Sequence, residues 1–112
     1  MDKFSALADP TRRNILEMLA RSGQLSATEI SDKFQVSPSA ISQHLKVLRE
    51  AKLVQMEKRA QQRIYQINQE AMVELEQWAR QLTQRWNERF EALDEVLEAE
   101  KKKTLKNKRE RT

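Results

Sequence analysis

Between residues 10 and 48 the apolar positions return every three or four residues, the spacing of one side of a helix. In "ADPTRRNILEML" they are Ile15, Leu16 and Leu19. Asp9 is placed to cap this first helix, and Pro10 to occupy its first position, where a missing N–H costs nothing. Gly23 is the expected stop, since glycine takes a left-handed cap without penalty. In "SATEISDKF", Ser26 and Glu29 have the spacing of a capping box that opens a short helix with Ile30 and Phe34 inward. Ser37 and Pro38 repeat the cap-plus-proline signal before a third helix, whose stripe is Ile41, Leu45 and Leu48. Two short helices across a turn of three or four residues have helix-turn-helix spacing.

The period then changes. In "KLVQMEKRAQQRIYQIN", Val54 and Met56 alternate with polar neighbours, as do Tyr65 and Ile67, which predicts two strands around a polar loop at Ala60 to Gln62. From about Asn68 the chain reads as one long helix, free of Gly and Pro through Lys103. Met72, Leu75, Ala79, Leu82, Trp86, Phe90, Leu93 and Leu97 follow one another by threes and fours along it. Such a stripe suits packing against a partner helix, and the same helix of a second copy is the expected partner. Trp78 and Trp86 have a second reading, as the lining of a small-molecule pocket at that seam; plain dimer core is preferred. Glu91, Asp94, Glu95 and Glu98 are read as a solvated face in preference to a hard-cation site.

Composition narrows the classes. The 112 residues include one Gly, two Pro and no Cys, and 34% are charged, which favours helix over sheet. Without cysteine there is no disulfide framework, thiolate metal site or cysteine nucleophile. No apolar run approaches the roughly 20 residues of a membrane span, and no basic-then-apolar leader opens the chain. A cytoplasmic protein without membrane contact is expected. The net charge of +4 is uneven: residues 26–66 carry seven cations against four carboxylates, 70–100 three against nine, and 101–112 seven against one. A polyanion would therefore meet the middle of the chain and be repelled by the acidic stretch. The expected fold is mainly α with a small β-hairpin, a winged helix-turn-helix with a long C-terminal dimerisation helix. Residues 1–100 would form the DNA-binding and dimerisation domain. Residues 101–112 would form a basic, disordered tail that either adds nonspecific phosphate contacts or is simply solvated.

The polar side of the third helix carries the candidate chemistry. Ser39, Gln43, Lys46 and Glu50 lie opposite the apolar stripe, with Ser42 and Arg49 at its flank. Short side chains let a helix approach base-pair edges, Gln43 can pair with adenine through two hydrogen bonds, and Lys46 and Arg49 can reach phosphates. The hairpin tip and shoulders offer Lys58, Arg59, Gln61, Gln62 and Arg63, as a wing beside such a helix would. A solvated helix face and a merely soluble hairpin tip are the alternatives. His44, the only histidine, has two readings, DNA contact or packing against the neighbouring helix. It has no metal-ligand partner and no nearby nucleophile, and the chain has no Gly-rich phosphate loop, so neither an enzyme nor a cofactor is expected.

These residues resemble a known family. "FSALADPTRRNILEML", "LSATEISDKFQVSPSAISQHLKVLREAKLV" and the following Arg-Ile-Tyr are similar to the winged-helix repressors of the arsenic-repressor (ArsR-type) family, over roughly residues 4–98. Asp-Pro-Thr-Arg at Asp9 to Arg12, together with Ser-x-His-Leu-Lys-x-Leu at Ser42 to Leu48, makes the resemblance specific. It implies a homodimeric transcription regulator, usually a repressor, with the third helix in the major groove of double-stranded DNA. That role carries to Ser39, Ala40, Ser42, Gln43 and His44, with Ser37 at the helix start beside them. Phe4, at the head of the matched stretch, joins the expected dimer interface. Metal-sensing relatives carry Cys-x-Cys where this chain has Ser26 and Thr28, and neutral hydroxyls are poor ligands for soft metals. The C-terminal helix also lacks the histidine of a second metal site. Gln35 stands where relatives often have Gly, at a cost of about 1 kcal/mol if left-handed, and a wing tip without Gly suggests a looser wing. The expectation is a homodimeric repressor on an inverted-repeat operator, not metal-responsive. Alternatives are a protein-interaction module using the acidic helix, or a regulator with a small-molecule pocket at the dimer seam; any small-molecule or protein effector is left open.

Overall fold

The computed structural model describes the backbone of residues 2–110 and the side chains of residues 2–103. Its elements are α1 (Lys3–Leu7), α2 (Pro10–Ser22), β1 (Gln24–Ser26), α3 (Ala27–Asp32), α4 (Pro38–Glu50), β2 (Val54–Arg59), β3 (Gln62–Ile67) and α5 (Gln69–Glu110).

The capping signals act where the sequence places them. Asp9 accepts from the Arg12 N–H at 3.1 Å, and Ser37 from that of Ala40 at 3.2 Å. Ser26 and Glu29 close the capping box in both directions, at 3.0 and 3.1 Å. Gly23 ends α2 with φ +83°, a conformation that an L side chain takes only under strain. Ile15, Leu19, Ile30, Ile41, Leu45, Leu48 and Leu53 form the centre of the core, each less than 2% exposed. Phe34 is only half-buried.

Two elements go beyond the expected set. Asp2 caps α1, accepting from the Ser5 N–H at 2.8 Å, and β1 adds a third strand in the order β1-β3-β2, all antiparallel. Leu25, Tyr65 and Met56 meet across the inner face. Gln24, Gln66 and Gln55 meet across the outer one, where Gln24 donates to Gln66 at 2.9 Å and Gln66 to Gln55 at 3.2 Å. A strand of three residues with one inward apolar side chain leaves no alternation to read, which is why β1 was not expected.

The hairpin turn is tighter than the polar loop expected from Ala60 to Gln62. Arg59 pairs with Gln62, so two residues connect the strands, and Ala60 takes φ +57°. Gln35 needs no left-handed backbone: among the described residues only Lys52 and Ala60 combine a side chain with positive φ. The cost considered for Gln35 falls instead on Lys52 and Ala60.

The chain divides into two compact units, one reaching to Glu74 and a second beginning at Leu75. The second unit is the continuation of α5. The helix runs past residue 101, where a disordered tail was expected, through Glu110. Residues 101–110 hold no Gly or Pro and consist largely of Lys, Glu, Leu and Arg, good helix formers whatever their charge. Residues 111 and 112 of that expected tail lie outside the described residues.

Candidate DNA-binding face

Burial divides α4 along its length. Ile41, Leu45 and Leu48 are buried, while Ser39, Ser42, Gln43, Lys46, Arg49 and Glu50 are exposed. Ser37 caps the helix, and its hydroxyl lies 3.1 Å from that of Ser39. Ala40 is half-buried, at the border of the two sides.

His44 lies one turn further on, at the same border. It is half-buried, its Nδ1 3.3 Å from the Arg12 guanidinium and 3.9 Å from the Asp9 carboxylate. Arg12 also donates from Nε to the Ala6 carbonyl at 2.7 Å and from a terminal nitrogen to that of Ser5 at 3.2 Å. One guanidinium thus ties the end of α1 to α4. Because it can only donate, Nδ1 accepts and the ring hydrogen sits on Nε2. Of the two readings of His44, the packed one describes this setting. The Asp9 carboxyl is held below its usual range, first by the Arg12 N–H and then by the Arg12 charge.

On the wing, Lys58 and Arg63 are cross-strand partners on the face that Tyr65 shares. Like charges directly opposite one another destabilise a sheet. Lys46, Arg49 and Arg63 line one cleft with Ser42, Gln43 and Tyr65, and no carboxylate is among its lining residues. Arg59 lies on the other face, donating to Gln24 at 3.2 Å and to Glu57 at 3.2 Å. Gln61 and Gln62 are exposed at the tip.

A helix-turn-helix followed by a hairpin with a cationic inner face defines the winged helix-turn-helix class of DNA-binding protein. The model for the bacterial regulatory protein arsR family matches residues 9–56. The transcriptional repressor SdpR of Bacillus subtilis is 33% identical over 67% of this chain and 82% of its own. An HTH-type transcriptional regulator of Mycobacterium tuberculosis is 41% identical over 71% of this chain and 78% of its own. The solved structure of an ArsR-like transcriptional regulator from Rhodococcus sp. RHA1 superposes with a TM-score of 0.73 at 28% identity, covering 83% of this chain and 87% of that one.

The chain belongs to the arsR family: it is a DNA-binding transcriptional regulator and not an enzyme. Among the described residues no helix is long and apolar enough to cross a membrane. Sequence reasoning missed Arg12 and Tyr65 as members of the site. For Tyr65 the signal was present, since it stands two residues from Arg63 and so shares its face of the strand.

Proposed function

We propose that this regulator is a homodimeric repressor that occupies an inverted-repeat operator without sensing a metal. The observation that carries this is the cation set Lys46, Arg49, Lys58 and Arg63, on α4 and the helix-facing side of the wing. None has an ion-pair partner among the described residues, and the exposed polar side chains of α4 stand beside them. A surface that leaves like charges opposed within its own sheet gains when a polyanion neutralises them. Ser39, Ser42 and Gln43 read base edges in this proposal, Ser37 and Ala40 permit close approach, and Lys46, Arg49, Lys58 and Arg63 anchor phosphates, with Gln61 and Gln62 at the wing tip. His44 acts by holding α4 in place.

The dimer is supported by the exposed apolar stripe of α5. Leu82, Trp86, Phe90, Leu93 and Leu97 are each about half exposed, and Trp86 and Phe90 meet edge to face with centroids 4.9 Å apart. Met72, Leu75, Ala79 and Phe4 belong to the same proposed interface. A second copy covering this stripe would set two recognition helices about 34–36 Å apart, one turn of DNA. Metal independence is supported by the absence of cysteine and by Ser26, which stands at a metal-ligand position of the sensing relatives and here is spent on the capping box. Repression is supported by SdpR, a repressor by name.

Selection from a random duplex library at near-physiological salt tests the reading. Enrichment of an inverted repeat with half-sites about one turn apart is expected, and binding without enrichment would reject sequence-specific readout. On the selected operator, Gln43→Ala should relax preference at one base position by about 1–3 kcal/mol. Lys46→Ala should instead weaken all sequences alike and flatten the salt dependence. Equal losses for Gln43→Ala on operator and random DNA would remove Gln43 from the readers.

A further inference from the structure

The cleft between α4 and β3 has a feature that cations alone do not explain. Its volume is about 190 Å³ and its polar lining is Ser42, Gln43, Lys46, Arg49, Arg63 and Tyr65. The Tyr65 ring is part of the core, only 4% exposed. No buried side-chain oxygen or nitrogen among the described residues lacks a hydrogen-bond partner, and the Tyr65 hydroxyl makes no hydrogen bond among the described residues. Its oxygen is therefore not sealed in the core, and Tyr65 is among the residues that line the cleft. Phenylalanine would fill the core position equally well, so the hydroxyl is not needed for packing.

Three cationic side chains around a neutral donor, with no carboxylate in the lining, suit a tetrahedral anion that accepts several hydrogen bonds at once. We propose that this cleft seats one phosphodiester group of the DNA backbone, with the Tyr65 hydroxyl donating to a phosphate oxygen while Lys46, Arg49 and Arg63 supply charge. The assignment rests on the DNA-binding reading above and adds a residue and a single phosphate to it. Because Tyr65 is anchored in the core and paired with both Leu25 and Met56, its hydroxyl has little freedom compared with a lysine ammonium. It fixes where the backbone lies, and with it the register in which Gln43 meets the bases.

Tyr65→Phe on the full chain separates this role from general attraction. Operator affinity should fall about ten- to hundredfold per half-site, the loss of one hydrogen bond to a charged acceptor. The slope of log affinity against log salt should stay at the wild-type value, because no cation is removed. Arg63→Gln, at an exposed position, should lower affinity and reduce that slope by about one per half-site. Operators carrying a neutral methylphosphonate at one position at a time locate the contact. At one position per half-site the modification should cost the wild-type protein more than it costs Tyr65→Phe.

Wild-type affinity in Tyr65→Phe, or equal sensitivity of both proteins at every position, overturns the seat and leaves the DNA-binding reading standing. A thermal shift by inorganic phosphate that Tyr65→Phe abolishes, without any change in operator affinity, would assign the cleft to a free anion and also overturn it. Failure of the wild-type protein to bind any duplex would remove both readings together. Urea midpoints of the two variants equal to wild type show that the comparison is between folded proteins.

Discussion

Arg12 illustrates how one side chain can serve three elements. Its guanidinium holds the carbonyls of Ser5 and Ala6 at the end of α1, and also reaches His44 on α4. Arg12→Ala should destabilise the fold by about 2 kcal/mol, read as a lower urea midpoint. Arg12→Lys should recover little of this, because an ammonium lacks the planar fork that reaches both sides. Ala60 is the opposite case, a side chain with positive φ at a two-residue turn. Ala60→Gly should leave stability unchanged or raise it by up to about 1 kcal/mol, the steric relief being partly offset by entropy in the unfolded chain. Neither role was legible in the sequence. Arg12 reads as one more surface cation on an amphipathic helix, and positive φ at Ala60 follows from strand register, which composition does not encode.

Helix starts were legible because each is written within four residues. Asp9-Pro10, Ser26 to Glu29 and Ser37-Pro38 all cap as their spacing indicates. Strand β1 was not, since its existence depends on Leu25 meeting Tyr65 forty residues away. Ser26→Ala should cost about 1 kcal/mol by removing one side of the box. The same caps make the fold sensitive to acid. Asp9 and Glu29 are both held below their ordinary carboxyl values, chiefly by the backbone N–H groups of Arg12 and Ser26 respectively. Groups lowered in the folded state contribute in full above the unfolded value and lose that contribution as pH falls through the folded one. Urea midpoints should accordingly hold through pH 6 to 5 and decline below about pH 4. A smaller decline is expected in Asp9→Asn, where one of these carboxylates is gone.

At the scale of the whole molecule, the clustering of charge was legible in the sequence. The cations fall on α4 and the wing as their clustering suggested, except that Arg59 turns to the outer face. The break at 74/75 lies within an unbroken run of helix-forming residues, so no local signal marks it. If α5 is the dimer seam, a charge in its stripe should be poorly tolerated between two copies. Leu93→Asp should shift the protein toward monomer in sedimentation velocity and weaken operator binding more than hundredfold, while the urea transition of residues 1–74 remains. A Leu93→Asp protein that still sediments as a dimer would remove this stretch of α5 from the interface.

The amides on the outer face of the sheet carry a direction as well as a register. Arg59 donates to Gln24, Gln24 to Gln66 and Gln66 to Gln55, and of these four only the guanidinium is unable to accept. An isolated row of glutamines could run either way, each amide turned about its last bond, with nearly equal energy. The arginine at one end selects a single sense for the whole row, so a substitution at Arg59 would be felt as orientational disorder three strands wide, including at Gln55, which Arg59 does not touch.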